Sequence, residues 1–190
     1  MEAAPGPRVR GLTRSLQCHQ CAIVCHFCGT GRALFRHLTY HLSQMALLHD
    51  AEVRNRIVAR LNALRPDTRA RWGKMSVDQM LWHVGEAMEF SLSDPPHAPV
   101  MLKFLQPVLK WVVITLPWMK GAPTRRDWVA RTNYDFEAQR QRVLALIDVV
   151  AARRLDASWP NSPTLGRMTG RNVSRLHAKH LIHHLDQFGV

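Results

Sequence analysis

AEVRNRIVARLNAL, residues 51–64, sets Val53, Ile57, Leu61 and Leu64 on one stripe with its arginines opposite. Intervals of three and four residues match the turn of an α-helix, not the two-residue alternation of a strand. Arg65-Pro66-Asp67 ends that helix, because proline brings no amide to the ladder and turns the preceding residue away from helical angles. Downstream the pattern repeats. MSVDQMLWHVGEAMEFSL, residues 75–92, opens with Ser76 and Gln79 at capping-box spacing and should run to Leu92. A third helix is predicted over 99–115, kinked or broken near Pro107. Pro117, Gly121, Pro123 and a basic pair make 117–132 a connecting loop. DFEAQRQRVLALIDVVAARR, residues 135–154, is a fourth helix. Pro160, Pro163 and Gly166 mark another loop, and a last helix runs from Thr169 or Gly170 to Phe188. Nothing alternates convincingly as a strand. The fold class is therefore all-α, an up-and-down helical bundle, whose ligand sites lie between facing helices.

Upstream the character changes. Residues 1–44 show no clean helical period and hold all four cysteines, Cys18, Cys21, Cys25 and Cys28. Their C-x2-C-x3-C-x2-C spacing puts the two pairs closer than the ~12 to 20 residues usual in structural zinc sites. Residues 1–44 are thus expected to be a poorly structured extension upstream of a natural start at Met45, with residues 45–190 forming the bundle. The charge is +12, from 26 Lys and Arg against 14 Asp and Glu. The basic residues are scattered among acids, with no run of five like charges, so nucleic acid is a disfavoured partner. The most apolar stretch, residues 100–119, is broken by Lys103, Gln106, Pro107 and Lys110, which argues against a membrane span. With no apolar leader in the first 17 residues, a cytoplasmic location is expected.

Histidine is concentrated near the end. Of 11 histidines, four fall between His177 and His184. Positions four apart on a helix are offset by about 40°, so His180 and His184 can reach one ion. Gln187 lies on the same side, His177 is close to it, and His183 is turned aside. A third ligand is available in His83, which shares a helix face with Met80, Ala87 and Phe90. Three neutral imidazoles with open positions suit a divalent transition metal such as zinc, nickel or iron. Protons would compete for such a site near the ordinary histidine pKa of ~6.5. The competing reading is a core histidine satisfied by a hydrogen bond.

HLIHHLDQFG, residues 180–189, together with GKMSVDQMLWHVGEA, residues 73–87, resembles the DinB-like (YfiT-like) metal-dependent superfamily, and most of all an uncharacterised bacterial branch of it. The resemblance spans about Ala51 to Val190. The family pattern of His, two residues, His-His, two residues, Gln is met by His180, His183-His184 and Gln187. The resemblance implies a four-helix bundle with His83, His180 and His184 as metal ligands. Gln187 is the candidate second-layer donor. Relatives include thiol S-transferases using bacillithiol or mycothiol, a maleylpyruvate isomerase and hydrolases. A metal-dependent transferase or hydrolase acting on a small molecule, a low-molecular-weight thiol among the candidates, is the expectation; a homodimer is allowed. The alternative is a non-enzymatic metal-binding or stress-response bundle. A pocket opening onto the metal favours the enzyme, and a site plugged by the Pro107 helix favours the alternative. Ser162 and Leu165 depart from the family's loop, so 162–166 receives no role. Glu86 is read as orienting a ligand, as a base or as a solvated glutamate, and Arg125, Arg126 and Arg131 as anion-greeting or solvated.

Overall fold

The computed structural model describes residues 46–93, 103–121 and 124–190. The predicted extension and its four cysteines lie outside them. The described chain is all-helical: α1 Ala51–Ala63, α2 Val77–Leu92, α3 Gln106–Thr115, α4 Phe136–Ala152 and α5 Gly170–Phe188. A 3-10 turn, Arg126–Trp128, interrupts the loop before α4. No strand occurs among the described residues, only an isolated bridge between Ser162 and Gly166. No helix among them is long and apolar enough to cross a membrane.

Apart from α3, each helix begins where a side chain takes up amides that have no partner within the helix. The Asp50 carboxylate accepts from Glu52 N at 2.9 Å before α1. At α2, Gln79 Oε1 reaches back to accept from Ser76 N at 3.2 Å, as the spacing predicted. Asp135 accepts from Ala138 N at 2.7 Å, and Thr169 from Asn172 N at 3.2 Å. Gly189 closes α5 in the left-handed region, donating to Leu185 O at 2.9 Å.

The third helix is described from Gln106, after a turn at 103–105, so the expected break falls near Pro107, which stands in the helix's first turn; residues 99–102 of the expected helix lie outside the described residues. There the missing proline amide would have had no partner within the helix anyway, so the residue initiates rather than kinks.

Packing follows the stripes. Ile57, Leu61 and Leu64 are buried, and Val53 packs against the same core. α2 lies along α4, both α1 and α2 pack on α5, and α1 also meets α4. α3 rests on α5. Because α5 is covered by three neighbours, its polar residues are buried too. Of the seven buried polar or charged residues among those described, all except His83 (Ser174, His177, Lys179, His180, His184 and Gln187) are on α5. Buried polar groups need partners, so that distribution makes α5 the helix along which a site is sought. Just before α1, His49 Nε2 donates to the Arg153 carbonyl at 2.7 Å, and its Nδ1 meets the Ser174 hydroxyl at 2.9 Å. One imidazole thereby ties the chain leading into α1 to α4 and α5.

Candidate metal centre

His180 and His184 stand one turn apart on α5, and α2 carries His83 to the same point. His180 Nε2 lies 3.1 Å from His83 Nε2 and 3.1 Å from His184 Nε2. The three ligating nitrogens all fall within 4.8 Å of one another. Two nitrogens bound to one ion at ~2.0 to 2.1 Å stand about 2.9 to 3.4 Å apart for bond angles of about 90° to 110°. Buried and gathered from two helices, the histidines are positioned to hold a metal ion. They are the one such group among the described residues.

The outer nitrogens reveal which tautomers are present. His83 Nδ1 faces the Trp128 carbonyl at 2.9 Å. A carbonyl only accepts, so Nδ1 carries the proton and Nε2 is left with a lone pair. For His184 the same logic passes through Gln187, whose Nε2 donates to the Trp72 carbonyl at 2.7 Å. This fixes the amide, so Oε1 faces His184 Nδ1, at 2.7 Å, and must accept from it. At least two lone pairs therefore converge on His180 Nε2, which can donate to only one of them. A cation at their centre satisfies all three, and the Trp128 carbonyl and Gln187 hold the rings in ligating orientation.

Burial keeps the imidazoles neutral. It is the largest influence on each and pushes His184 down to about 3 and His83 below its ordinary value. His180 is driven well below the ordinary value by burial and then by the adjacent His184 and His83. Neutral imidazole is the form that ligates.

The cluster forms part of the wall of a cavity of about 550 Å3. Val112 and Val113 of α3 line this cavity. The indole of Trp118 packs 5.2 Å from the His180 ring, its Nε1 donating to the Val113 carbonyl at 2.8 Å. His183 is half-buried and lines the cavity without joining the converging group. His177 is fully buried on the wall, and neither ring nitrogen has a partner.

Other expectations change. Glu86 binds Arg142 at 2.7 Å and does not line the cavity, so it is placed as an ion-pair partner, not a base. The loop given no role contributes Ser162, Thr164 and Leu165 to the wall, and Gln106 of α3 fastens it through the Pro163 carbonyl at 2.8 Å. The carbonyls of Trp72 and Trp128 were missed, since a carbonyl has no residue signature. The available signal was tryptophan in Pro- and Gly-containing loops, where so large an apolar ring requires a surface to cover.

No curated protein matches the chain, and no solved structure matches it. The family model described as "Protein of unknown function (DUF1569)" matches residues 37–189, and the chain belongs to that family.

Proposed function

We propose that this chain is a divalent-metal-dependent enzyme of the DinB-like superfamily, with His83, His180 and His184 as ligands and a small molecule as substrate. The observation that carries this reading is the convergence of three imidazole Nε2 atoms on the wall of an open cavity, with two outer nitrogens already engaged. A structural ion needs no access, whereas here the cluster borders space large enough for a ligand, which favours catalysis over a purely structural metal. The contacts of α1, α2, α4 and α5 in a closed ring support the bundle reading.

A bound zinc, nickel or iron ion would supply Lewis acidity, stabilising a thiolate or polarising a carbonyl. The protein's part is to hold the imidazoles neutral and oriented and to offer an apolar cavity that strengthens electrostatic interactions. Among the described residues no Asp or Glu lines that cavity, so proton transfer falls to the histidines beside the cluster, of which His183 is the more accessible. Thiol S-transfer and hydrolysis both suit such a site.

Elemental analysis of the full chain, purified without a histidine tag, tests the reading. About one equivalent of metal is expected in the parent protein and in His183→Ala, and little in His83→Ala, His180→Ala or His184→Ala. Metal retained by all three ligand variants would overturn the site and turn attention to Cys18, Cys21, Cys25 and Cys28. A screen for thiol consumption and ester hydrolysis on the loaded protein then separates the two chemistries.

A further inference from the structure

The cavity wall carries an uneven set of charges. Among the described residues that line it there is no Asp, Glu or Lys, and Arg125 is the single arginine. The guanidinium is thus the one Arg, Lys, Asp or Glu group among the described residues of this wall. A cationic ligand would find no carboxylate there, and an anionic ligand would find one partner.

Arg125 is also held in place. Its Cζ lies 4.6 Å from the ring centre of Phe90 and 5.2 Å from that of Trp128. These rings meet edge to face at 5.3 Å, and both line the cavity. Stacking on aromatic faces suits a planar guanidinium, whose N–H groups lie in its own plane rather than on the stacked faces. Nη2 donates to Asp127 Oδ2 at 3.0 Å, and Nε is buried without a partner. Asp127 is 75% exposed, so this ion pair is weak and leaves much of the positive field in place. Through Trp128 the arginine adjoins the metal cluster, because the same residue's carbonyl orients His83. The rest of the wall is largely apolar, including Trp118, Leu165 and Met168, with Asn161 and Ser162 as hydrogen-bonding groups.

We propose that the ligand of this cavity is a small molecule with an apolar body and a carboxylate, and that Arg125 binds the carboxylate while the body lies toward the histidine cluster. This rests on the site described under the proposed function and names its substrate class, but the binding step requires no metal. A bidentate guanidinium–carboxylate pair in an apolar enclosure gives both affinity and orientation. A substrate anchored there would present its other end to the ion.

The test uses chelator-treated full-length protein at pH 8, with 4-phenylbutyrate and its uncharged analogue 4-phenylbutanamide as probes. Binding is read by calorimetry and by quenching of tryptophan fluorescence. The acid is expected to bind at least tenfold more tightly than the amide. Arg125→Gln should bring the acid down to the amide's level. Arg125→Lys, which keeps charge and loses the fork, should fall between. Arg126→Gln, an exposed neighbour off the wall, should leave the preference intact. Equal binding of acid and amide by the parent protein overturns the proposal without recourse to any variant. So does a preference that survives Arg125→Gln, or one that appears only after metal is restored, since the carboxylate would then sit on the ion. Acid preference in a protein that fails to bind metal keeps Arg125 as the anchor and sinks only the metal reading.

Discussion

At Gly73 the backbone turns with φ of +85°, a region costly to a residue with a side chain. A Cβ there would also come within 2.5 Å of Gln187 Nε2, the atom that holds the Trp72 carbonyl and so fixes the tautomer of His184. Gly73→Ala should therefore act on the metal site although it carries no ligand. Gln187→Ala should cost ~10- to 100-fold in metal affinity, the usual effect of removing a ligand's orienting partner. Gly73→Ala should cost a similar factor, and the double variant little more than either, because both act through one hydrogen bond. Competition with a chromogenic chelator measures all three. Full additivity would mean that Gly73 acts through the backbone alone.

Among the elements, α3 stands apart, because it rests on α5 and leaves Val108 and Trp111 largely exposed. Lys179 of α5, only 5% exposed, holds its C-terminal end by donating to the carbonyls of Val113 and Leu116. A cation there meets carbonyls that lack a partner within the helix at its end and favours the negative end of the helix dipole. Lys179→Met should remove both bonds and cost roughly 1 to 3 kcal/mol. Limited proteolysis should then cut faster within residues 103–121 than elsewhere, and quenching of tryptophan should report Trp118 leaving His180. Unchanged cleavage would mean that the buried Ile114 suffices to hold the helix. Sequence patterning found this helix and left a kink or a break open near Pro107, because a proline reads the same way at a first turn as at a kink until the preceding chain direction is known.

At the scale of the whole molecule, several imidazoles share one buried region, and acid should act on them together. His177 is pushed down to about 4 by burial, and His184 to about 3. An unfolded chain protonates histidine near ~6.5. Between pH 6.5 and 4 the unfolded state therefore binds more protons, and stability falls as pH falls through that window. Each such group contributes up to about 1.4 kcal/mol per pH unit there. Urea midpoints of the metal-free protein should drop accordingly. His177→Leu should flatten the acid slope and leave the protein at least as stable at pH 7, since neither ring nitrogen has a partner to lose. An unaltered slope would show that His177 is solvated. Metal affinity should likewise hold below the pH of ~6.5 that the ordinary histidine value implies, because burial has already removed much of the protons' advantage.

The helices, the Ser76–Gln79 cap and the pairing of His180 with His184 were legible in the sequence, because each depends on residues within a few positions of one another, where the periodicity of the chain fixes geometry. The Ser76–Gln79 motif and the stripe of Ile57, Leu61 and Leu64 are examples. His83 could be nominated from its helix face and from family resemblance, but its 3.1 Å approach to His180 joins positions 97 residues apart and is set by how α2 packs on α5. Tertiary structure alone decided the rest. Backbone carbonyls of Trp72 and Trp128 select the tautomers, the 160–166 loop closes a cavity wall, and Arg125 becomes the one arginine among the described residues that line it. A carbonyl belongs to every residue and an arginine is most often solvated, so only the packing that surrounds them gives them a role.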